Sequence, residues 1–170
     1  MVPCAGVFRD NVLREDISVE KLAALKPAFD RSERGTLTAG NSTPLTDGAG
    51  AVLLASEDWA RARGLPVLAY LSHMQTSANN FVAGDGLLMA PTIAVSRMID
   101  RAGLKLQDFD FYEIHEAFAA TVLSTLAAWE DDDFCRDRLG LHAPLGAIDR
   151  SRLNVAGSSL AAGHPFAATG

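Results

Sequence analysis

Residues 109–129 read FDFYEIHEAFAATVLSTLAAW, and this stretch decides the fold class. Its first six positions, 109–114, are rich enough in aromatic and β-branched side chains to predict a short strand. Glu116 is then expected to open a helix, because Phe118, Val122, Leu126 and Trp129 recur at helical spacing and form one stripe. A strand running directly into a helix is half of an α/β unit.

The same alternation extends outward. Upstream, Pro91 suits the first turn of a helix. Val95, Met98, Ile99 and Ala102 follow at i, i+3, i+4 and i+7, and Gly103 is positioned to stop it. The runs 49–55 (AGAVLLA) and 66–72 (PVLAYLS) have strand length, and the first is predicted to be covered on both faces. Between them Ser56 should cap a short helix holding Trp59, ended by Gly64. Near the start, Ser18 is a good N-cap with Glu20 in the first turn, where the helix dipole favours negative charge. Val19, Leu22 and Ala23 share its face, and Pro27 limits its length. Segment 36–46 is too polar and turn-rich for a core element, and 73–88 has no period and reads as a long loop. The acidic run 130–133 is expected to be a solvated surface turn at a helix end, where the dipole disfavours it. The prediction is an α/β protein with a mixed sheet layered between helices, and no internal repeat.

Composition narrows the function. The 170 residues are 48% apolar and 21% charged, a globular balance that excludes a disordered chain. Fifteen Lys and Arg against 21 Asp and Glu give a net charge of −6, which argues against nucleic acid or an anionic membrane surface as the main partner. No apolar run approaches the roughly 20 residues of a membrane span. The first eight residues are too short and lack the leading charge of a signal peptide. A cytoplasmic location is the expectation. Cys4 and Cys135 have no motif spacing, so neither a disulfide framework nor a metal site is signalled, and both read as structural thiols.

Chemistry points to the histidines. His115 falls where a strand end meets a helix start, a favoured ligand position in α/β sheets, with Glu116 beside it as a possible hydrogen-bond partner. A histidine that merely caps the helix is the competing reading. His164 sits in GHP at 163–165, after a Gly/Ser-rich approach and at an expected helix start. There the dipole would favour a neutral imidazole fit to act as a base; a chance histidine on a surface turn is the alternative. His73 and His142 carry no context and are expected at the surface. Ser158 and Ser159 lack the Gly-x-Ser-x-Gly elbow of a serine hydrolase, and the Gly84-Asp85-Gly86 turn lacks the lysine of a phosphate-binding loop.

Together these motifs resemble the thiolases, acyl-CoA acyltransferases with a layered α/β fold. HEAF at 115–118 is similar to the family's (Asn/His)-Glu-Ala-Phe motif, and GHP with TG at 169–170 to its Gly-His-Pro motif. NVAGSS at 154–159 resembles the approach to that motif. GTLTAGNSTPLTDGA at 35–49 is similar to the family's Thr-Ala-Gly-Asn loop and the strand after it. The histidine at 115 and LMAP at 88–91 look closer to the thiolase of fatty-acid β-oxidation complexes than to biosynthetic relatives.

The resemblance implies cleavage of a 3-ketoacyl-CoA by CoA through a cysteine-bound acyl intermediate, with coenzyme A as substrate and no separate cofactor. His164 resembles the base that activates the nucleophile. His115 resembles the residue that, usually through a water, holds the thioester oxygen together with His164. Ala117 and Phe118 resemble residues lining the pantetheine channel, Ser42 and Thr43 match a loop facing CoA from the other side, and Leu87 falls near a position beside the acyl group. Two departures stand out. Neither Cys4 nor Cys135 matches the family's nucleophile or its second, acid–base cysteine, which the resemblance places outside these residues. Ala167 stands where the family usually has glycine. Residues 1–64 then correspond to the end of the N-terminal thiolase half, including the CoA-facing loop, and 65–170 to a C-terminal half lacking its last strands. A partial chain is the expectation. A homodimer or homotetramer and a hydratase–dehydrogenase partner are further implications. The alternatives are a catalytically silent thiolase-like subunit that binds acyl-CoA or serves assembly, and a 3-ketoacyl synthase relative, against which HEAF argues.

Overall fold

The computed structural model describes residues 4–166 and 168; Ala167 and the Thr169-Gly170 pair lie outside them. Six helices follow in order: α1 (Val19–Ala23), α2 (Glu57–Ala62), α3 (Ala90–Ala102), α4 (Ala119–Glu130), α5 (Asp132–Asp137) and α6 (Ser159–Ala162).

Helices α3, α4 and α5 make the packed centre, α3 against α4 and α4 against α5. Ile99, Leu106, Val122, Leu126, Trp129 and Ile148 form its buried cluster, with Val95, Met98 and Tyr112 packed around it. The stripe read from Val122, Leu126 and Trp129 is therefore the inward face of α4, as its spacing requires. α3 ends where expected: Gly103 takes a left-handed φ of +66° and donates back to the carbonyls of Asp100 and Ile99. α4 begins three residues after Glu116, because Phe118 is extended and bridged to Ser42, and the Ala117 carbonyl is taken by Thr43 N–H.

The acidic run is a junction between two helices. Asp131 ends α4 and, through its side chain, accepts from the backbone N–H of Phe134, capping α5; Asp132 and Asp133 occupy the first turn of α5. The dipole of α5 favours these charges where α4 alone would oppose them. The run is solvent-exposed, as expected, but it is helical.

The two outer strands are not formed. Segments 49–55 and 66–72 have no regular secondary structure, and both faces of the first are open: Val52, Leu53 and Leu54 are all exposed. A strand has no hydrogen bonds of its own and exists only where a neighbour supplies them; the two segments line one pocket, yet among the described residues no backbone hydrogen bond joins them. The sheet is represented there by isolated bridges. Tyr112 pairs with Leu153 and Leu45 with His164 in parallel, and Ser42 pairs with Phe118 antiparallel. Segment 109–114, expected as a strand, contributes the Tyr112 bridge alone.

α1 and α2 form as predicted, with Ser18 and Ser56 accepting from the N–H groups of Lys21 and Trp59. Neither helix buries a residue.

Candidate active site

Three loops meet beside the start of α4. From the first, Asn41 accepts from the Ala119 N–H, and Thr43 N–H donates to the Ala117 carbonyl at 3.1 Å, which zips 41–43 against 117–119. The third loop is joined by the Thr43 hydroxyl, which donates to the Ser159 carbonyl at 2.6 Å, and by His164 N–H, which donates to the Pro44 carbonyl at 2.8 Å. Phe118 is further steadied by Phe29, edge-on at 5.7 Å between ring centroids.

This arrangement brings His115 and His164 together. Their ring centroids are 4.2 Å apart and the rings are tilted by 49°. The Phe166 ring also meets His164, at 4.5 Å between centroids. His164 is half-buried, whereas His115 is exposed. Partial burial pushes the His115 pKa below the ordinary 6.5, the neighbouring His164 lowers it further, and the Glu116 charge opposes both. The shift favours the neutral imidazole, in which one ring nitrogen donates a hydrogen bond and the other accepts one.

Beside the pair a pocket of about 280 Å³ is lined by Leu45, Thr46, Asp47, Gly48, His164, Pro165 and Phe166. Its walls approach closely. A Cβ on Gly163, whose φ is +88°, would stand 2.4 Å from Thr46 Cγ2, and one on Gly48 would stand 2.7 Å from Pro165. Glycine is required at 163 on both counts.

His164 does not open a helix within the described residues. It follows the single turn of α6 and lies in the bridge to Leu45, so the helix-dipole argument does not apply to it. Glu116 does not partner His115 by hydrogen bonding either. Its carboxylate accepts from Asn154 Nδ2 at 2.8 Å and from the Leu160 N–H at 3.1 Å, while its own N–H donates to Ser159 Oγ at 3.0 Å. Ser159 is thus a buried structural hydroxyl. Asn154 also spans Ile114, donating to its carbonyl and accepting from its N–H, from a left-handed φ of +49° that asparagine tolerates better than most residues.

Ser42, Thr43, Ala117 and Phe118 all lie at the loop junction. Leu87 stands apart on the loop before α3, largely exposed, and no bridge or hydrogen bond joins it to the junction among the described residues. That loop is tied elsewhere, by Asp85 to Arg138 of the α5 end. Cys135 is completely buried under α4, its Sγ near the Ala128 and Trp129 carbonyls. Cys4 is exposed. Among the described residues no three His, Cys, Asp or Glu side chains converge as metal ligands would, and no helix is long and apolar enough to cross a membrane.

Glu116, Asn154 and Ser159 were not among the site residues expected from sequence. The motifs contained all three, but contacts bridging about 40 positions leave no trace in local spacing.

Comparison with known proteins bears on the same residues. The family model described as thiolase, N-terminal domain, matches residues 5–58, and that of the thiolase C-terminal domain matches 65–170. A 3-ketoacyl-CoA thiolase of Yersinia pestis is 46% identical over 165 residues, covering 97% of this chain and 37% of the relative. Among solved structures, the acetyl-CoA acetyltransferase of Bacillus anthracis superposes with a TM-score of 0.74 at 34% identity, covering 95% of this chain and 35% of that one. The dimeric peroxisomal thiolase of Saccharomyces cerevisiae gives 0.68 at 33%, covering 91% and 34%. The architecture is the thiolase-like α/β fold, and the chain spans little more than a third of the length of these relatives.

Proposed function

The chain belongs to the thiolase family, and from that membership we propose that its protein is an acyl-CoA C-acyltransferase cleaving 3-ketoacyl-CoA with CoA. The observation that carries the proposal is the His115–His164 pair, two imidazoles 4.2 Å apart at the meeting of three loops. The relatives' names, 3-ketoacyl-CoA thiolase and acetyl-CoA acetyltransferase, support an enzyme over a silent subunit.

In the proposed reaction a cysteine outside these residues attacks the C3 ketone of the substrate. His164 accepts the thiol proton, since the thiolate and not the thiol is the nucleophile. The C2–C3 bond breaks, and its electron pair passes into the enolate of the departing acetyl-CoA. Neutral His115, with His164, offers a hydrogen bond to the thioester oxygen where that charge collects. A second cysteine, also outside these residues, protonates C2 of the enolate. CoA then gives its thiol proton to the second cysteine, which restores that residue, and attacks the acyl-cysteine thioester; the shortened acyl-CoA leaves, and the freed nucleophile thiolate takes its proton back from His164. Read backwards, the same steps are a Claisen condensation.

Ala117 and Phe118 would line the pantetheine path, with Ser42 and Thr43 facing CoA from the first loop; the zip between 41–43 and 117–119 holds these two walls together. Leu87 would approach the acyl group. A homodimer fits the dimeric yeast relative; a role in β-oxidation beside a hydratase–dehydrogenase subunit, in the cytoplasm, completes the proposal. Neither cysteine within the chain suits the nucleophile's place: Cys135 is sealed in the core, and the backbone of exposed Cys4 pairs with Val7 and with no residue of the junction.

The test is thiolysis of acetoacetyl-CoA and a longer 3-ketoacyl-CoA by the protein from its complete reading frame. His164→Ala should lower kcat by about 10²–10⁴-fold, the usual range for a lost general base. Unchanged turnover in that variant would remove His164 from the mechanism.

A further inference from the structure

The histidine pair is held by groups that do not touch it. His115 and Glu116 are consecutive, and His164 lies four residues beyond Leu160. The Glu116 carboxylate spans the gap between the two segments. One oxygen accepts from Asn154 Nδ2 at 2.8 Å and the other from the Leu160 backbone N–H at 3.1 Å. The Glu116 N–H closes a second tie to the same helix turn, through Ser159 Oγ. Asn154 in turn grips both backbone groups of Ile114, the residue before His115. Both side-chain partners of Glu116 are N–H donors, so the position calls for a group that accepts at both ends.

We propose that Glu116 is a positioning residue for the thiolase reaction proposed above, clamping the His115 segment to the His164 segment so that both rings meet the same substrate oxygen. The inference rests on that functional reading for its kinetic consequence but not for its geometry. Charge-assisted bonds to a carboxylate are the stronger kind, and a ring displaced by about 1 Å can cost on the order of 10²-fold in rate.

A glutamine at 116 is nearly isosteric, yet its amide offers a donor at one end and must lose either Asn154 or the Leu160 N–H. E116Q should therefore lower kcat for thiolysis by about 10–100-fold with KM within twofold. Full activity in E116Q, or a loss carried by KM with kcat unchanged, would overturn the clamp. If the unaltered protein shows no thiolysis, the functional reading fails. The crystal structure of E116Q then decides the clamp: rings separated relative to the unaltered protein support it, and rings unmoved overturn it.

Discussion

Residues 4–88 and 89–164 are similarly apolar, yet only the second part buries what it carries. Among the described residues every buried one lies from Thr92 onward. Leu68 is 93% exposed, while Trp129 is 3% exposed. Their helices differ in the opposite sense. α1 and α2 have side-chain caps and bury nothing; α3 and α4 have no side-chain cap hydrogen bond and are anchored by their faces. Local hydrogen bonding and tertiary packing are thus separable sources of helix, and each part of this molecule relies mainly on one of them.

The sharpest way to break that contrast is a matched pair of truncations. Trp129→Ala should destabilise the protein by about 3–5 kcal/mol, whereas Leu68→Ala should change stability by less than about 0.5 kcal/mol. Denaturant titration of both reads the difference. A large loss at Leu68 would mean that segment 66–72 is covered in the assembled protein and that the two parts are packed alike.

Caps provide the next test. Ser56→Ala should cost α2 about 1 kcal/mol and accelerate amide exchange there while leaving the α3–α4 core unchanged. A fall in the global unfolding midpoint of comparable size would show α2 to be coupled to that core.

The smallest effect concerns the seam where the parts meet. The His115 pKa is lowered in the folded protein, chiefly by burial and then by His164. The unfolded chain therefore takes up the proton first. Stability should be level above pH 6.5 and decline as the pH falls from there through the lowered folded value. His115→Gln should remove that part of the slope when melting temperatures are compared across pH 5–8. An identical slope in the variant would indicate that the imidazole is fully hydrated.

What could be read from the sequence follows the same division. The ends of α3, the inward stripe of α4 and the two serine caps are set by residues within a turn of one another, and all were legible. The strands at 49–55 and 66–72 were misread as ladders because length and apolarity describe a strand's side chains and say nothing of its neighbours. At the site, the two histidines and the loop residues Ser42, Thr43, Ala117 and Phe118 announced themselves through motifs. The Glu116–Asn154 clamp did not, since its bonds join positions 38 apart. Glu116 was visible as a charge beside His115, and its direction was the missing information. The acidic run was misjudged for a related reason: its charges were assigned to the end of one helix when they belong to the start of the next.

The elbow between α4 and α5 has a consequence for any labelling experiment. Cys135 is sealed beneath it with no exposed surface, while Cys4 is open to solvent. An alkylating reagent should mark Cys4 at once and reach Cys135 only when the elbow opens. Slow modification would then serve as a clock for breathing of the core, with the prompt labelling of Cys4 as its internal reference.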